Sequence, residues 1–297
     1  MAVTAAMVKE LRQKTGVGMM ECKKALTETD GDIEKAILYL RERGMSRAAK
    51  KADRITAEGI VSVLTSSDNK KGAIVEVNCE TDFVSKNADF IKFTKDLAQL
   101  ALENNVNDID SLNKLMLEGK SVAEVLPELI ATIGENINVR RVATLQASNG
   151  IVDGYTHMGG KIGTLVLLEG SDAESNIELA KDIAMHTAAV APRYLTSGEV
   201  SATEIEQEKE LARKKLIEEG KPENLIEKIL QGQISKFYKE ICLEEQAFVK
   251  DPNYTIKKLV AEKGQGAKLS AYYRFQLGEG IEKKQENFAE EVAAQLK

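Results

Sequence analysis

The stretch EVNCETDFVSKN, residues 76–87, joins a predicted strand to a predicted helix. Before this junction, EGIVSVLT (58–65) and GAIVEVN (72–78) alternate apolar and polar residues around a polar turn, which predicts a β-hairpin. After it the period changes, and the apolar residues recur every three or four positions, at Phe90, Phe93, Leu97 and Leu100. That spacing predicts a helix with one buried face.

Strand and helix patterns continue along the rest of the core. Further helices are predicted near 107–118, 121–133 and 173–191. Further strands are predicted over INVRRVATLQ (137–146), GIVDGYTH (150–157), KIGTLVLLEG (161–170) and KLSAYYRFQLG (268–278). Groups of strands that alternate with groups of helices predict the α+β class.

The first 54 residues are predicted to form three short helices followed by a basic linker. The first helix begins at a Thr4 cap and ends at Gly16, and the second covers Met20 to Leu26. The third starts near Ile33 and is expected to end at Gly44. The segment SRAAKKADRIT (46–56) is predicted to be a helical or extended linker, with a domain boundary near residue 55.

Residues 203–241 have a different character, because they are rich in charge and almost free of strand signals. Gly220 and Pro222 separate two helical stretches, which predicts an antiparallel helical hairpin. Few apolar residues lie along the predicted contact between the two helices. Both a projecting coiled coil and a plain helical pair packed on the core are compatible with this pattern. A last short helix is predicted over ENFAEEVAAQL (286–296).

Composition limits the possible classes of protein. The chain has 297 residues, of which 43% are apolar and 30% charged, which suits two or more compact units. No window approaches the roughly 18 to 20 apolar residues of a membrane span, so no membrane partner and a cytoplasmic location are expected. The three cysteines are scattered and, with only two histidines, form no metal-binding pattern, so neither disulfides nor a metal site is expected.

Charge is distributed unevenly along the chain. Residues 1–54 contain 12 Lys and Arg against 8 Asp and Glu, a balance of +4, which leaves −10 for the remainder. The basic N-terminal unit is suited to an acidic partner surface or RNA, and an ordinary solvated helix face fits equally well. The acidic remainder and the absence of Trp argue against nucleic-acid binding by the whole chain.

No pattern of covalent chemistry is present. The stretch Met158-Gly159-Gly160-Lys161-Ile162-Gly163 lacks the spacing of a phosphate-binding loop and lies between two predicted strands, which predicts a hairpin turn. His186 is interpreted as a helix-packing residue. An enzyme that uses His157 with a nearby carboxylate such as Asp153 is kept as an alternative; a deep polar pocket around His157 would support it.

Four motifs, in this order, closely resemble the translation elongation factor Ts family: KELRQKTGVGMMECKKAL (9–26), EVNCETDFVSKN (76–87), IGENINVRR (133–141) and DGYTHMGGKIG (153–163). The resemblance extends over nearly the whole chain. It implies a guanine nucleotide exchange factor that binds the GDP-bound and nucleotide-free forms of the GTPase elongation factor Tu, without a cofactor and without covalent chemistry.

The resemblance also implies a fold that matches the segmentation. It comprises a three-helix N-terminal domain of ubiquitin-associated type, two α+β core subdomains, an inserted helical hairpin and a C-terminal helical module. In residue numbers, these are 1–54, 55–140, 141–200 with 242–279, 201–241, and 280–297. Self-association through the hairpin, as a homodimer or as a heterotetramer with elongation factor Tu, is left open.

Site residues follow by resemblance at the matching positions. Asp82 and Phe83, between Thr81 and Val84, are expected to enter the GTPase domain beside its magnesium site. Further contacts are expected from Arg12, Met19, Met20, His157 and Gly159.

Other readings of these residues stay open. Phe83 could be an ordinary core ring, Met20 could belong to the helix core, and Asp82 could shape its loop rather than bind the partner. A non-catalytic binding module that uses residues 4–44 is the alternative function.

Overall fold

The computed structural model describes residues 3–282. The helix predicted at 286–296, and with it most of the predicted C-terminal module, lies outside the described residues. The helices are α1 (Ala5–Thr15), α2 (Met19–Glu28), α3 (Ile33–Lys51), α4 (Asp82–Ser85), α5 (Ala88–Asn104), α6 (Ile109–Lys114), α7 (Val122–Ile133), α8 (Ser175–Val190), α9 (Ala202–Glu218), α10 (Glu223–Ile241) and α11 (Ile256–Lys263). The strands are β1 (Glu58–Thr65), β2 (Lys71–Cys79), β3 (Met116–Leu117), β4 (Lys120–Ser121), β5 (Ile137–Gln146), β6 (Gly150–His157), β7 (Ile162–Glu169), β8 (Ala247–Phe248), β9 (Asp251–Thr255) and β10 (Lys268–Gln276). The α+β class is confirmed.

The N-terminal helices begin and end mostly where their residue types predict. The Thr4 hydroxyl accepts the Met7 backbone N–H at the start of α1, and Gly16 ends this helix in the left-handed conformation, with φ of 68°. The three helices enclose a small apolar core of Val8, Leu11, Cys22, Ala25, Leu26, Ala36 and Leu40.

The predicted end of the third helix at Gly44 is wrong, because α3 continues to Lys51. Gly44 lies within the helix where α3 crosses α7, and a Cβ atom at this position would be 3.3 Å from the Cβ of Ala131. The glycine therefore allows close helix packing rather than ending the helix. Beyond it, Ala48 packs against the core, so the first half of the predicted linker belongs to α3.

The predicted β-hairpin is confirmed as β1 and β2, which form an antiparallel sheet with β5 in the order β1-β2-β5. Helix α5 covers one face of this sheet with the predicted side chains of Phe90, Phe93 and Leu97, all buried. The segment predicted as helix 107–118 is shorter than expected, because only α6 is helical and the small β3-β4 hairpin follows it.

A second antiparallel sheet has the order β10-β7-β6, with α8 packed against β6 and β7. Its other face lies on the β1-β2-β5 sheet, and the interface is apolar, with Val61, Ile74, Val152, Leu165 and Phe275 at its centre. Gly163 permits this close contact, because a Cβ there would lie 2.6 Å from Val61 Cγ1. The two sheets thus share a core.

The predicted helical hairpin corresponds to α9 and α10. Ala212 and Leu216 of α9 pack against Ile226 and Leu230 of α10, so the two helices run antiparallel. The base of the pair joins the rest of the protein through a separate apolar cluster that contains Val200, Ile241 and Cys242.

A buried carboxylate ties the end of β10 to the β1-β2-β5 sheet. Glu76 of β2 is fully buried, and its oxygens accept hydrogen bonds from Arg140 (3.0 Å), Arg141 (2.5 Å) and the Gly278 backbone N–H (2.9 Å). Burial by itself raises the pKa of Glu76, but the Gly278 N–H and the two arginines outweigh this effect, and the pKa lies below its ordinary value. Glu76 is therefore charged at neutral pH.

Replacement of Glu76 by Gln is expected to lower the free energy of unfolding by about 3 kcal/mol, because two partly buried arginines lose the buried negative charge that they share. Urea unfolding at pH 7, followed by circular dichroism, measures this change. Glu227→Gln is the matched control, since Glu227 pairs with Arg213 on the exposed hairpin, and it should cost less than about 1 kcal/mol. Equal effects of the two substitutions would contradict the role assigned to Glu76.

Candidate partner-binding site

The TDFV motif forms a one-turn helix directly after β2. Thr81 caps α4, and its hydroxyl accepts the Val84 backbone N–H at 3.5 Å. Val84 is buried in the core of the first sheet, and the Cys79 thiol donates to the Thr81 carbonyl at 3.1 Å. Asn87 then caps α5, so the chain turns twice within six residues. The motif is anchored on both sides.

Phe83 points away from this anchored turn and is 80% exposed. The interpretation of Phe83 as a core ring is therefore wrong, because Val84 rather than Phe83 faces the core at this turn. Asp82 pairs with Lys86 one turn later, at 2.7 Å, and the Lys86 ammonium lies 5.9 Å from the centre of the Phe83 ring. In the described chain, Asp82 thus helps to shape its own turn.

A carboxylate from a distant part of the sequence fixes the motif. Glu135 accepts the Thr81 backbone N–H at 2.9 Å with one oxygen and the Thr81 hydroxyl at 2.7 Å with the other. Glu135 was not predicted as a site residue, although it belongs to the IGENINVRR motif. Its position just before β5, which pairs with β2, is the signal that could have identified it.

The predicted N-terminal contacts are all exposed. Met19 and Met20 begin α2 after Gly18, and Met20 is 76% exposed, so it does not belong to the helix core. Arg12 lies exposed on α1. An adaptable pair of exposed methionines suits contact with another protein.

The third predicted contact lies at the turn between β6 and β7. His157 is exposed at the end of β6, with its Nδ1 atom 3.1 Å from the Tyr155 hydroxyl. Gly159 is exposed and adopts φ of 64°, with open space around the position of a Cβ. Gly160 is buried, and a Cβ there would lie 2.8 Å from Ile60 Cγ2. The turn therefore rests on β1 and presents His157 and Gly159 outward.

Met158 at the tip of this turn was not predicted as a contact from the sequence. It is 72% exposed and adopts the left-handed conformation, with φ of 49°. Its place between a strand end and two glycines was the available signal, because a large apolar residue in a tight turn has no core to enter.

The alternative that pairs His157 with Asp153 is not supported. His157 lies on an exposed tip rather than in a deep polar pocket, which counts against this alternative. The Asp153 carboxylate accepts the Gly154 N–H at 2.8 Å, and burial raises its pKa. His186 is fully buried between Gln246 and the Val249 backbone N–H, as expected of a helix-packing residue.

Residues 3–282 contain no metal-binding cluster and no membrane-spanning helix. Within that range, no group of three or more His, Cys, Asp or Glu side chains is arranged to hold a metal ion. In the same range, no helix has the length and apolarity needed to cross a membrane.

The family profile described as elongation factor TS matches residues 80–279. Elongation factor Ts of Clostridium novyi (strain NT) is 50% identical over 303 residues, which is 99% of each chain. The chain belongs to the elongation factor Ts family. Members from Clostridium perfringens (strain SM101 / Type A) and Clostridium botulinum (strain Alaska E43 / Type E3) are also 50% identical, over 98% and 99% of each chain.

Membership of the elongation factor Ts family identifies the activity. The protein is a nucleotide exchange factor for elongation factor Tu and is not an enzyme. The family match begins at Glu80, so it includes the whole TDFV motif and the β6–β7 turn. The relatives, in contrast, match this chain over the N-terminal helices as well.

Substitution of Glu135 by Gln is expected to loosen the TDFV turn, because a neutral amide cannot accept both Thr81 hydrogen bonds as well as a carboxylate does. We expect a loss of about 1 kcal/mol in the free energy of unfolding. Hydrogen exchange of the Thr81 amide should become faster while amides in α8 stay protected. Glu103→Gln on the exposed face of α5 serves as the control. Unchanged protection at Thr81 would argue against the anchoring role.

Proposed function

We propose that the exposed ring of Phe83 acts as a wedge in the GTPase domain of elongation factor Tu, beside the magnesium and phosphate site. The single observation that supports this step is an 80% exposed aromatic ring on a turn that is anchored from both sides. A large apolar side chain held in water gains free energy when a partner buries it. If its pocket opens only when elements around the nucleotide move, that gain favours GDP release.

The magnitude of this effect is limited. Complete burial of a Phe side chain contributes roughly 1.5 to 3 kcal/mol. If all of this burial free energy favours the nucleotide-free state, the affinity for GDP changes about tenfold to a hundredfold. Other contacts must therefore contribute, and Asp82 is placed to exchange its Lys86 partner for a group of the GTPase.

The remaining predicted contacts extend the interface in this proposal. Arg12, Met19 and Met20 bind the GTPase domain, and Thr81 and Val84 hold the wedge in position. His157 and Gly159 contact a second domain of elongation factor Tu. Exposed positions of Met20, Phe83 and Met158 support a partner that touches several surfaces at once.

The finer organisation belongs to the same proposal. We infer the division into units 1–54, 55–140, 141–200 with 242–279, 201–241 and 280–297. Self-association through the hairpin of α9 and α10 stays a prediction. A cytoplasmic location follows from the role in translation, and the three buried, unpaired cysteines agree with a reducing compartment.

Phe83→Ala is expected to keep the fold and to reduce the acceleration of GDP release by about tenfold or more, because the burial energy of the ring is lost. The measurement is release of a fluorescent GDP analogue from elongation factor Tu in excess GDP. Leu211→Ala removes an exposed apolar side chain from the hairpin and is the matched control. The wedge fails as an explanation if both variants accelerate release as the unsubstituted protein does.

Met20→Ala tests the alternative in which the N-terminal helices alone bind a partner. Under the exchange proposal, the loss of this exposed methionine raises the concentration of protein needed for half-maximal exchange by about tenfold and changes the maximal rate little. Titration of the exchange rate against protein concentration separates the two parameters. Binding that is abolished by Met20→Ala and unaffected by Phe83→Ala would favour the non-catalytic binding module.

A further inference from the structure

An open groove of about 440 Å³ lies between two of the surfaces described above. Its floor is β1, the outer strand of its sheet. One wall comes from α4 and α5, through Ser85, Lys86 and Ile91, and the other from the β6–β7 turn, through Gly159 and Gly160. The groove thus runs between the turn that carries Phe83 and the turn that carries Met158.

The lining combines apolar surface with positive charge. Ile60, Leu64 and Ile91 supply apolar surface, and Lys86 and Lys95 are the only charged residues in the lining. The lining contains no carboxylate, although the chain carries a net charge of −6. No ion pair among residues 3–282 involves Lys95, so its charge is available to a partner.

The backbone of the groove favours side-chain docking over strand addition. The Gly160 carbonyl accepts the Val61 N–H at 2.8 Å, so the β6–β7 turn already covers part of the free edge of β1. None of the buried polar atoms that lack a partner in the described chain belongs to the groove lining. The lining therefore suits a broad apolar contact rather than a small polar molecule.

We infer that this groove docks an acidic segment of elongation factor Tu that carries an apolar face, and that Lys95 selects its charge. This inference rests on the proposed function, because a partner that contacts both Phe83 and His157 binds on the two sides of the groove. The apolar residues of the segment cover Ile60, Leu64 and Ile91. Its carboxylates lie along the wall formed by α5, near Lys86 and Lys95.

Charge reversal at Lys95 tests whether this lysine selects the charge of the docked segment. Lys95→Glu is expected to lower the second-order rate constant of stimulated GDP release about three- to tenfold at low salt. The difference should shrink as salt is added, because ions screen exposed charges. Lys258→Glu makes the same charge reversal at an exposed position of α11, outside the groove, and should leave the rate constant unchanged. Equal rate constants for both variants would overturn the inference.

Thiol protection tests whether the groove is covered. Cys22, Cys79 and Cys242 are all buried, so a cysteine introduced at Ser62 in the groove reacts selectively with a maleimide. Excess nucleotide-free elongation factor Tu should slow the labelling of Ser62→Cys at least about tenfold, as expected for a site buried in a tight interface. Ser270→Cys on β10 is the exposed control and should label at an unchanged rate.

Two outcomes would count against the inference. Labelling of Ser62→Cys that stays fast in the complex shows that the groove remains open. Labelling that is slow without elongation factor Tu, and becomes fast after removal of residues 283–297, shows that the chain fills the groove itself. Either result leaves the exchange function intact if the unsubstituted protein accelerates release and Phe83→Ala does not, so the two proposals fail separately.

Discussion

The buried Glu76 carboxylate is the interaction on which the relative placement of the two sheets depends. Apolar packing between sheets is not directional, and it tolerates sliding more readily than a set of hydrogen bonds does. Glu76 adds direction, because it lies on β2 and accepts hydrogen bonds from two arginines of β5 and from the backbone just after β10. Arg141 also lies over the Phe275 ring of β10, at 4.2 Å. A charge buried with its partners therefore fixes which parts of the two sheets meet.

This constraint connects the candidate contacts to one another. Phe83 follows the end of β2, the strand that carries Glu76, whereas His157 ends β6 in the other sheet. The separation of the two contacts is therefore set by the sheet interface rather than by flexible loops. A partner that binds both surfaces gains the second contact at little additional entropic cost, provided that the separation matches its own geometry.

Local features of this fold could be predicted from sequence, whereas the features that depend on distant contacts could not. The hairpin of β1 and β2 and the buried face of α5 follow from periodicity, which depends on neighbouring residues alone. Gly44 was misinterpreted because a glycine that ends a helix and one that lets two helices approach look identical in a sequence. Glu76 alternates with apolar residues in the manner of a solvent-facing side chain, yet it is fully buried and accepts a hydrogen bond from the backbone just after β10.

In the candidate site, too, local features could be predicted from the sequence and distant contacts could not. The exposure of Phe83 follows from a turn in which Val84 takes the buried position, and only the resemblance indicated that the ring is a contact. Glu135, which supports that turn, lies 54 residues after Thr81, and no sequence pattern around Thr81 predicts this contact. Resemblance located the motif, but the structure is needed to identify what keeps the ring outside.

Rigidity of the Phe83 turn has a consequence for the direction of exchange. Binding of GDP and binding of the exchange factor are coupled, so each weakens the other by the same factor. A flexible turn could retract when the nucleotide returns, and its coupling would be small. Val84 holds the turn on one side and Glu135 holds it on the other, so in the proposed wedge mechanism GDP or GTP displaces the whole ring when it rebinds. Under that proposal, strong anchoring of a small motif makes the exchange factor effective at GDP release and makes its complex readily dissociated by nucleotide.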